Sequence, residues 1–287
     1  MKLALNLSRV KESFNSMIFI AQDIYTFFIY NNNMDSILWR KPPVKLSISR
    51  SELHIWRINL DNVNYQLKYL ISLLSSEEIK RSKRFIFDRD RHCYQVTHSM
   101  KRMILANYLD CDPQCLHFKI ESYGKPALAN SQSSLKIQFN ISHSRDLVLI
   151  AITVEDPVGI DMEYNDKKRS IESLGEAIFS PSEKKFFLTL KSQREKEETF
   201  FRCWTRKEAY LKAIGIGLRQ DLTSISVDLN KAISSQGWLK ISTLSQSEIM
   251  RWKIFPINID DYYIANAVAT SFQKNLFCYK ANELLSE

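Results

Sequence analysis

The sequence contains no match to G-x-x-x-x-G-K-[ST], G-x-G-x-x-G or G-x-S-x-G. A P-loop, a dinucleotide fingerprint and a nucleophile elbow therefore all lack their minimal signal. Only six glycines are present, and the G-x-G at Gly215-Ile216-Gly217 follows a helical stretch and reads as its C-terminal cap. The five cysteines, Cys93, Cys111, Cys115, Cys203 and Cys278, are odd in number and form no C-x-x-C pair. That argues against a disulfide framework, and a reducing cytoplasm fits better. Cys111, Cys115 and His117 come nearest to a metal cluster, but a structural zinc site wants four ligands, so they read as turn and core residues. Long apolar runs are also missing. Segment 14–30 is broken by Gln22 and Asp23 and falls short of the ~20 residues a bilayer needs. It shows no small-residue cleavage site, so neither a membrane span nor a signal peptide is expected.

What is present is ordinary for a globular protein: 287 residues, 45% hydrophobic and 25% charged. The length suits one large domain or two small ones. Forty Lys and Arg against 32 Asp and Glu give a formal charge of +8, which favours an acidic partner such as nucleic acid, an anionic membrane, a phosphate-rich cofactor or an acidic protein.

Met34 reads as the biological start, with residues 1–33 either an upstream extension or a loosely attached segment. Glu52 to Asn59 is strand-like, Ser75-Ser76-Glu77-Glu78 opens a helix, and Val96, Met100, Met103, Ile104 and Tyr108 repeat at helical spacing over 91–109. The opposite face of that helix carries Lys101 and Arg102. Strands are expected at 118–122, 136–141, 147–154 and 158–164, with Glu155-Asp156-Pro157 as the boundary between halves 34–156 and 157–287. In the second half, helices are expected at 170–178, 181–191 and 195–214, and strands at 224–229, 237–242, 252–257 and 262–270. Asp260-Asp261 reads as a hairpin turn. The fold class is α+β in two similar-sized halves, with no letter-by-letter repeat.

Asp161 and Glu163 are two apart on a strand, so both side chains leave one face while Ile160 and Met162 leave the other. Magnesium takes one or two carboxylates and keeps waters and substrate phosphates for its remaining positions, so such a pair on a rigid support suits it. An acidic strand face is the plainer reading of a bare D-x-E. Glu208 and Lys212 are four apart on a helix, which alone describes a surface ion pair. Phe200, Trp204 and Leu211 on that face would anchor the helix and leave the pair at the edge of a packed surface. Phe139-Asn140-Ile141-Ser142-His143-Ser144 is read as a strand end followed by a loop that offers donors to phosphate. Between 77 and 102, eight Lys and Arg, Arg84 among them, face four Asp and Glu, forming either a basic wall or a solvated surface.

Taken in order, YGKP at 123–126, FNISHS at 139–144, GIDME at 159–163, FSPSE at 179–183 and WTRKEAYLKAIG at 204–215 resemble the 4′-phosphopantetheinyl transferases of the surfactin-synthetase-activating (Sfp-like) type. HIWRINL at 54–60 and FFRCWTRKEAYLKA at 200–213 are similar to the cyanobacterial branch associated with heterocyst glycolipid and secondary-metabolite synthesis. The resemblance implies a pseudo-dimer of two α+β halves with the active site in the cleft between them. It implies Asp161, Glu163 and Glu208 as ligands of magnesium, with manganese as a substitute. Lys212 is implied on a coenzyme A phosphate, and Tyr123, Lys125, Ser142, His143, Lys207 and Arg84 around the nucleotide. Glu78 stands where some members carry lysine. Glu208, Lys212 and Glu183 are the implied catalytic set, with the proton acceptor left open among Glu208, Glu183 and a metal-bound water.

The implied reaction moves 4′-phosphopantetheine from coenzyme A, as substrate, to a serine of an acyl or peptidyl carrier protein. The enzyme is expected to be a cytoplasmic monomer with no nucleic-acid or membrane partner. Two other readings stand beside it. One is a non-catalytic nucleotide- or nucleic-acid-binding module, which needs stacking aromatics such as Phe85, Phe87 and Tyr94. The other is a metal-dependent phosphodiesterase acting on coenzyme A.

Overall fold

Short apolar runs decide the central strands, of which Leu147–Val154 is buried along its whole length, and two 22-residue stretches form the principal helices. The computed structural model describes residues 39–121, 123–129, 135–165, 171–229, 239–241, 251–270 and 275–285. The expected extension at 1–33 lies outside them. In chain order the elements are β1 (Trp39–Arg40), β2 (Glu52–Asn59), α1 (Leu67–Ser72), α2 (Ser76–Ser82), α3 (Asp88–Leu109), β3 (Phe118–Ile120), β4 (Pro126–Leu128), β5 (Ile137–Ser144), β6 (Leu147–Val154) and β7 (Val158–Tyr164). There follow α4 (Ile171–Ile178), α5 (Pro181–Thr189), α6 (Gln193–Ile214), β8 (Ile225–Val227), β9 (Leu239–Ile241), β10 (Trp252–Ile257), β11 (Tyr263–Thr270) and β12 (Asn275–Lys280).

The α+β class holds, and so does the pairing of two similar halves. In the first half, strand β2 leads through the 22-residue α3 to the hairpin β5–β6, whose second strand returns to pair antiparallel with β2. The second half does the same: β7 leads through the 22-residue α6 to the hairpin β10–β11, and β11 pairs antiparallel with β7. Both long helices stop in a left-handed residue, Asp110 (φ 50°) and Gly215 (φ 76°), whose N–H closes onto Ala106 O and Leu211 O. Gly215 is the cap expected from sequence, because glycine adopts that conformation without Cβ strain.

Each half also fastens its long helix in the same way. Ser75 and Glu78 form a capping box at α2, and Ser180 and Glu183 form one at α5. In each box the glutamate then takes a buried cation from the long helix. Glu78 receives Arg102 Nε at 2.6 Å and Lys101 Nζ at 3.3 Å, and Glu183 receives Lys207 Nζ at 2.6 Å. Arg102 and Lys207 each lie fourteen residues beyond the first residue of their helix. The equivalence is invisible letter by letter because the cation is Arg in one half and Lys in the other.

Two expectations change, and one strand is new. Lys101 and Arg102 do not sit on an exposed face; both are 2% exposed, held by Glu78 and, for Arg102, by the carbonyls of Pro113 and Leu116. A buried charge persists only where it is paired and hydrogen-bonded. The FNISHS stretch is strand throughout rather than strand and loop. The turn falls at Arg145-Asp146, with Arg145 in the left-handed region at φ 54°. Finally, β12 had no sequence-based expectation. It runs parallel between β1 and β2, giving the five-stranded order β1-β12-β2-β6-β5.

Candidate active site

Gly159, Asp161 and Glu163 alternate along β7 and so share one face. Gly159 brings α6 onto that face. A Cβ there would overlap the Ala209 carbonyl oxygen and the Ala213 amide nitrogen, which are helix backbone and cannot rotate away. The Lys125 ammonium clamps the same approach, donating to Val158 O at 3.0 Å and Ala213 O at 2.9 Å. With strand and helix this close, residues two positions along β7 meet those projecting from α6.

Edge strand β5 lies against edge strand β7 but shares no backbone ladder with it. Instead its alternate side chains make the bonds: Asn140 Oδ1 accepts from Ile160 N at 2.9 Å, Ser142 Oγ from Met162 N at 3.1 Å and Ser144 Oγ from Tyr164 N at 3.0 Å. These three residues satisfy backbone donors that burial would otherwise strand. The N-x-S-x-S spacing is the signal sequence reasoning overlooked, since it read the stretch as a phosphate loop.

Ser142 also donates to Asp161 Oδ1 at 3.1 Å, while Lys212 Nζ donates to Asp161 Oδ1 at 2.6 Å and to Ser142 Oγ at 3.3 Å. Lys212 thus pairs across to the strand rather than along the helix to Glu208. Five buried side-chain polar atoms among the described residues have no hydrogen-bond partner, and two of them are Asp161 Oδ2 and Glu208 Oε1. Burial, and after it the Asp161 charge, pushes the Glu208 carboxyl up to about 7. Carboxylate oxygens left without donors, beside a carboxylate that resists ionisation, are short of positive charge. A hard divalent cation with oxygen ligands supplies that charge, so the donor set fits magnesium. No group of three or more His, Cys, Asp or Glu side chains among the described residues forms a ready cage. One or two carboxylates completed by substrate phosphates and water is the usual magnesium arrangement.

The remaining residues named from sequence lie elsewhere. Glu183 and Lys207 form an interior pair, 3% and 0% exposed. Glu183 accepts from Ser180 N, Val227 N and Lys207 Nζ, and Lys207 donates besides to Ile178 O and Leu222 O. Their charged atoms hold α5, α6 and β8 together. Lys125 likewise spends its ammonium on backbone, and burial lowers its pKa to about 8. His143 projects from β5 at the solvent edge, its pKa lowered by partial desolvation and then by the Lys212 charge. Tyr123 is exposed, with the Arg219 guanidinium 5.1 Å from its ring centre. Arg84 is exposed just beyond α2. Within the helix motif, Thr205 and Arg206 also turn inward: Asn266 Nδ2 donates to Thr205 Oγ1, and Arg206 Nε donates to Asn266 Oδ1.

Residues 157–267 match the 4′-phosphopantetheinyl transferase superfamily, and residues 61–155 match the family described as 4′-phosphopantetheinyl transferase, N-terminal. The chain is 34% identical to the 4′-phosphopantetheinyl transferase HetI of Nostoc sp. over 234 residues, covering 82% of this chain and 94% of that one. It is 30% identical to the 4′-phosphopantetheinyl transferase Sfp of Bacillus subtilis over 161 residues, 56% of this chain and 69% of the other. A holo-(acyl-carrier-protein) synthase structure from Bacillus anthracis, in complex with coenzyme A (3′,5′-ADP), overlays with a TM-score of 0.32 at 20% identity, covering 40% of this chain and 94% of that one.

Proposed function

Because this chain belongs to the 4′-phosphopantetheinyl transferase superfamily, we propose that the β7–α6 face is where its reaction takes place. The enzyme transfers the 4′-phosphopantetheine group of coenzyme A to a carrier-protein serine. The serine oxygen bonds to the β-phosphorus, the bond from that phosphorus to the bridging oxygen breaks with its electron pair, and 3′,5′-ADP leaves. The two orphaned oxygens, Asp161 Oδ2 and Glu208 Oε1, carry the assignment of the site.

Asp161, Glu163 and Glu208 would hold magnesium, which when bound supplies charge neutralisation on the diphosphate. Ser142 fixes the Asp161 carboxylate through Oδ1. The Lys212 ammonium, which that same oxygen holds at 2.6 Å, is placed to meet negative charge building on a phosphate oxygen. Of the two side chains named as acceptors for the serine proton, Glu183 has both oxygens occupied, so Glu208 takes that part. Tyr123, His143 and Arg84 remain as contacts for the nucleotide.

No helix among the described residues is long and apolar enough to cross a membrane, and we place the enzyme in the cytoplasm as a monomer. The nucleic-acid reading is disfavoured by the aromatics it needs. Phe85 packs on Tyr94 at 5.3 Å and Tyr94 stacks on His98 at 3.9 Å, so of the three rings only Phe87 stands free, at 69% exposure, and one ring makes no stacking platform for successive bases. The test is intact-protein mass spectrometry of apo acyl and peptidyl carrier proteins incubated with this chain, coenzyme A and magnesium, with an EDTA control. One phosphopantetheinyl group gained on the carrier serine, and lost with EDTA, is the expected result. Coenzyme A hydrolysed with no gain on either carrier would move the reading to a phosphodiesterase.

A further inference from the structure

The loop between α2 and α3 displays two large apolar side chains to solvent, Ile86 at 87% and Phe87 at 69% exposure. Single exposed apolar residues are unremarkable, but adjacent ones held rigidly are a different matter. Phe85 turns inward onto Tyr94, and Arg91 anchors the loop by donating to Phe85 O at 2.9 Å and to Asp88. Nothing in that framework holds the two outward side chains. Lys80, Arg81 and Lys83 precede them and Arg89 follows, all exposed. Asp88, the acidic residue beside Phe87, is already paired with Arg91.

The patch also lies beside the reaction site. His92, in the second turn of α3, has Nε2 3.1 Å from Leu60 O, and Leu60 N donates at 2.9 Å to Asp146 O in the turn that follows β5, just beyond His143. His143 in turn neighbours Ser142, which holds Asp161.

We propose that Ile86 and Phe87, within their basic surround, are the docking surface for the carrier protein. The partner this surface fits is a small acidic protein with an apolar side chain beside its reactive serine: the apolar pair supplies the buried centre and the arginines and lysines a complementary rim. The inference rests on the transferase reading above and adds where the acceptor sits.

The experiment is steady-state transfer by the full chain, with apo acyl carrier protein and then coenzyme A as the varied substrate. Wild type is compared with the Ile86→Ser, Phe87→Ser double variant, whose exposed positions put little folding energy at stake. The expected result is a KM for carrier protein raised about tenfold or more, with kcat and the KM for coenzyme A held within about twofold. Phe87→Leu should keep most of the carrier affinity, and Arg89→Glu should raise the carrier KM and flatten its salt dependence. An unchanged carrier KM overturns the proposal. So does a rise confined to the KM for coenzyme A, which would give the pair to the nucleotide. Co-sedimentation with phosphatidylserine-containing vesicles that the double variant loses, while its carrier KM stays put, would assign the patch to a lipid surface. If the wild-type chain transfers nothing, the transferase reading fails first and this inference with it.

Discussion

Glu183 and Glu208 show how much one carboxylate's surroundings decide. From sequence both are glutamates in family motifs with equal claim to the serine proton. In the structure Glu183 accepts two backbone N–H groups and the Lys207 ammonium, whereas Glu208 Oε1 is buried without a donor. Removing one partner of a buried ion pair costs about 3–5 kcal/mol. Glu183→Gln should therefore lower the urea midpoint markedly while the folded fraction keeps its kcat. Glu208→Gln should leave the midpoint unchanged or raised and cut transfer by about a hundredfold. A Glu183→Gln protein of full stability and lost kcat would return that residue to the chemistry. A second prediction concerns His54, buried with Nδ1 2.6 Å from the Tyr108 hydroxyl and Nε2 unpartnered. Burial lowers its pKa from 6.5 to about 4, with Glu52 opposing. Between those values the unfolded chain binds more protons than the folded one, so stability is lost as pH falls through the window, by about 2 kcal/mol from pH 7 to pH 5. Glu78 acts in a separate window. Although burial works against it, His98, Lys101, Ser75 N–H and Arg102 hold its carboxyl well below 4.5, so its contribution fades only as pH drops further. Glu208 acts in the opposite direction over the same interval, because its carboxyl, pushed up to about 7, binds a proton in the folded chain first and gains stability as pH falls. The His54 effect is therefore read by difference: in urea unfolding at pH 7 and pH 5, wild type should lose about 2 kcal/mol relative to His54→Gln, and equal changes would remove His54 from the account.

The strand β7 and the helix α6 were legible as elements because their periodicities are plain, and the face shared by Asp161 and Glu163 followed from alternation alone. The contact between the two elements was not. Gly159 falls in sequence inside the expected strand 158–164 with nothing to mark it, and only the position of Ala209 and Ala213 shows that no side chain fits there. The same limit hid the bonds from Asn140, Ser142 and Ser144, because hydrogen bonds between elements far apart in the chain leave no local period. Lys101 and Arg102 were misplaced for a related reason: charge predicts exposure unless a buried partner such as Glu78 is known. Gly159→Ala tests the element-level claim. Overpacking of this kind costs about 1–3 kcal/mol, and here it must be relieved by moving helix backbone. The expected outcome is a protein that folds with a lowered melting temperature but transfers poorly, because Lys212 and Glu208 are carried away from Asp161. Restoring transfer with higher magnesium or coenzyme A alone would show that the spacing was not the cause.

At the scale of the whole molecule, the two halves share strand order, capping box, buried cation and helix stop, but they are not closed units. The chain's last strand, β12, belongs to the first half's sheet, although the second half lies between them in sequence. It sits between β1 and β2 in parallel register from Asn275↔Glu52 to Lys280↔Arg57. Tyr279 packs on Trp56 with ring centres 4.9 Å apart, and Phe277 on His54 at 5.3 Å. Just beyond, Asn282 and Asn59 exchange side-chain-to-backbone bonds of 2.9 Å in both directions. A chain ending at Thr270 would strip β2 of its neighbour and leave a long apolar strand at an open edge, the arrangement that invites aggregation. A large buried apolar side chain is worth about 1.5–3 kcal/mol, so losing the buried Tyr279 and Cys278 and the half-buried Phe277 with their ladder removes much of a net stability of about 5–15 kcal/mol. The truncated chain should accumulate as insoluble protein. In any soluble remainder, hydrogen exchange should show protection lost at 52–59 and 147–154 but kept at 158–164 and 263–270, whose sheet does not include β12. Loss spread evenly over both sheets would mean that the halves unfold as one, held by the side-chain bonds across β5 and β7. Full solubility and activity would mean that β12 is dispensable and the first half is complete without it.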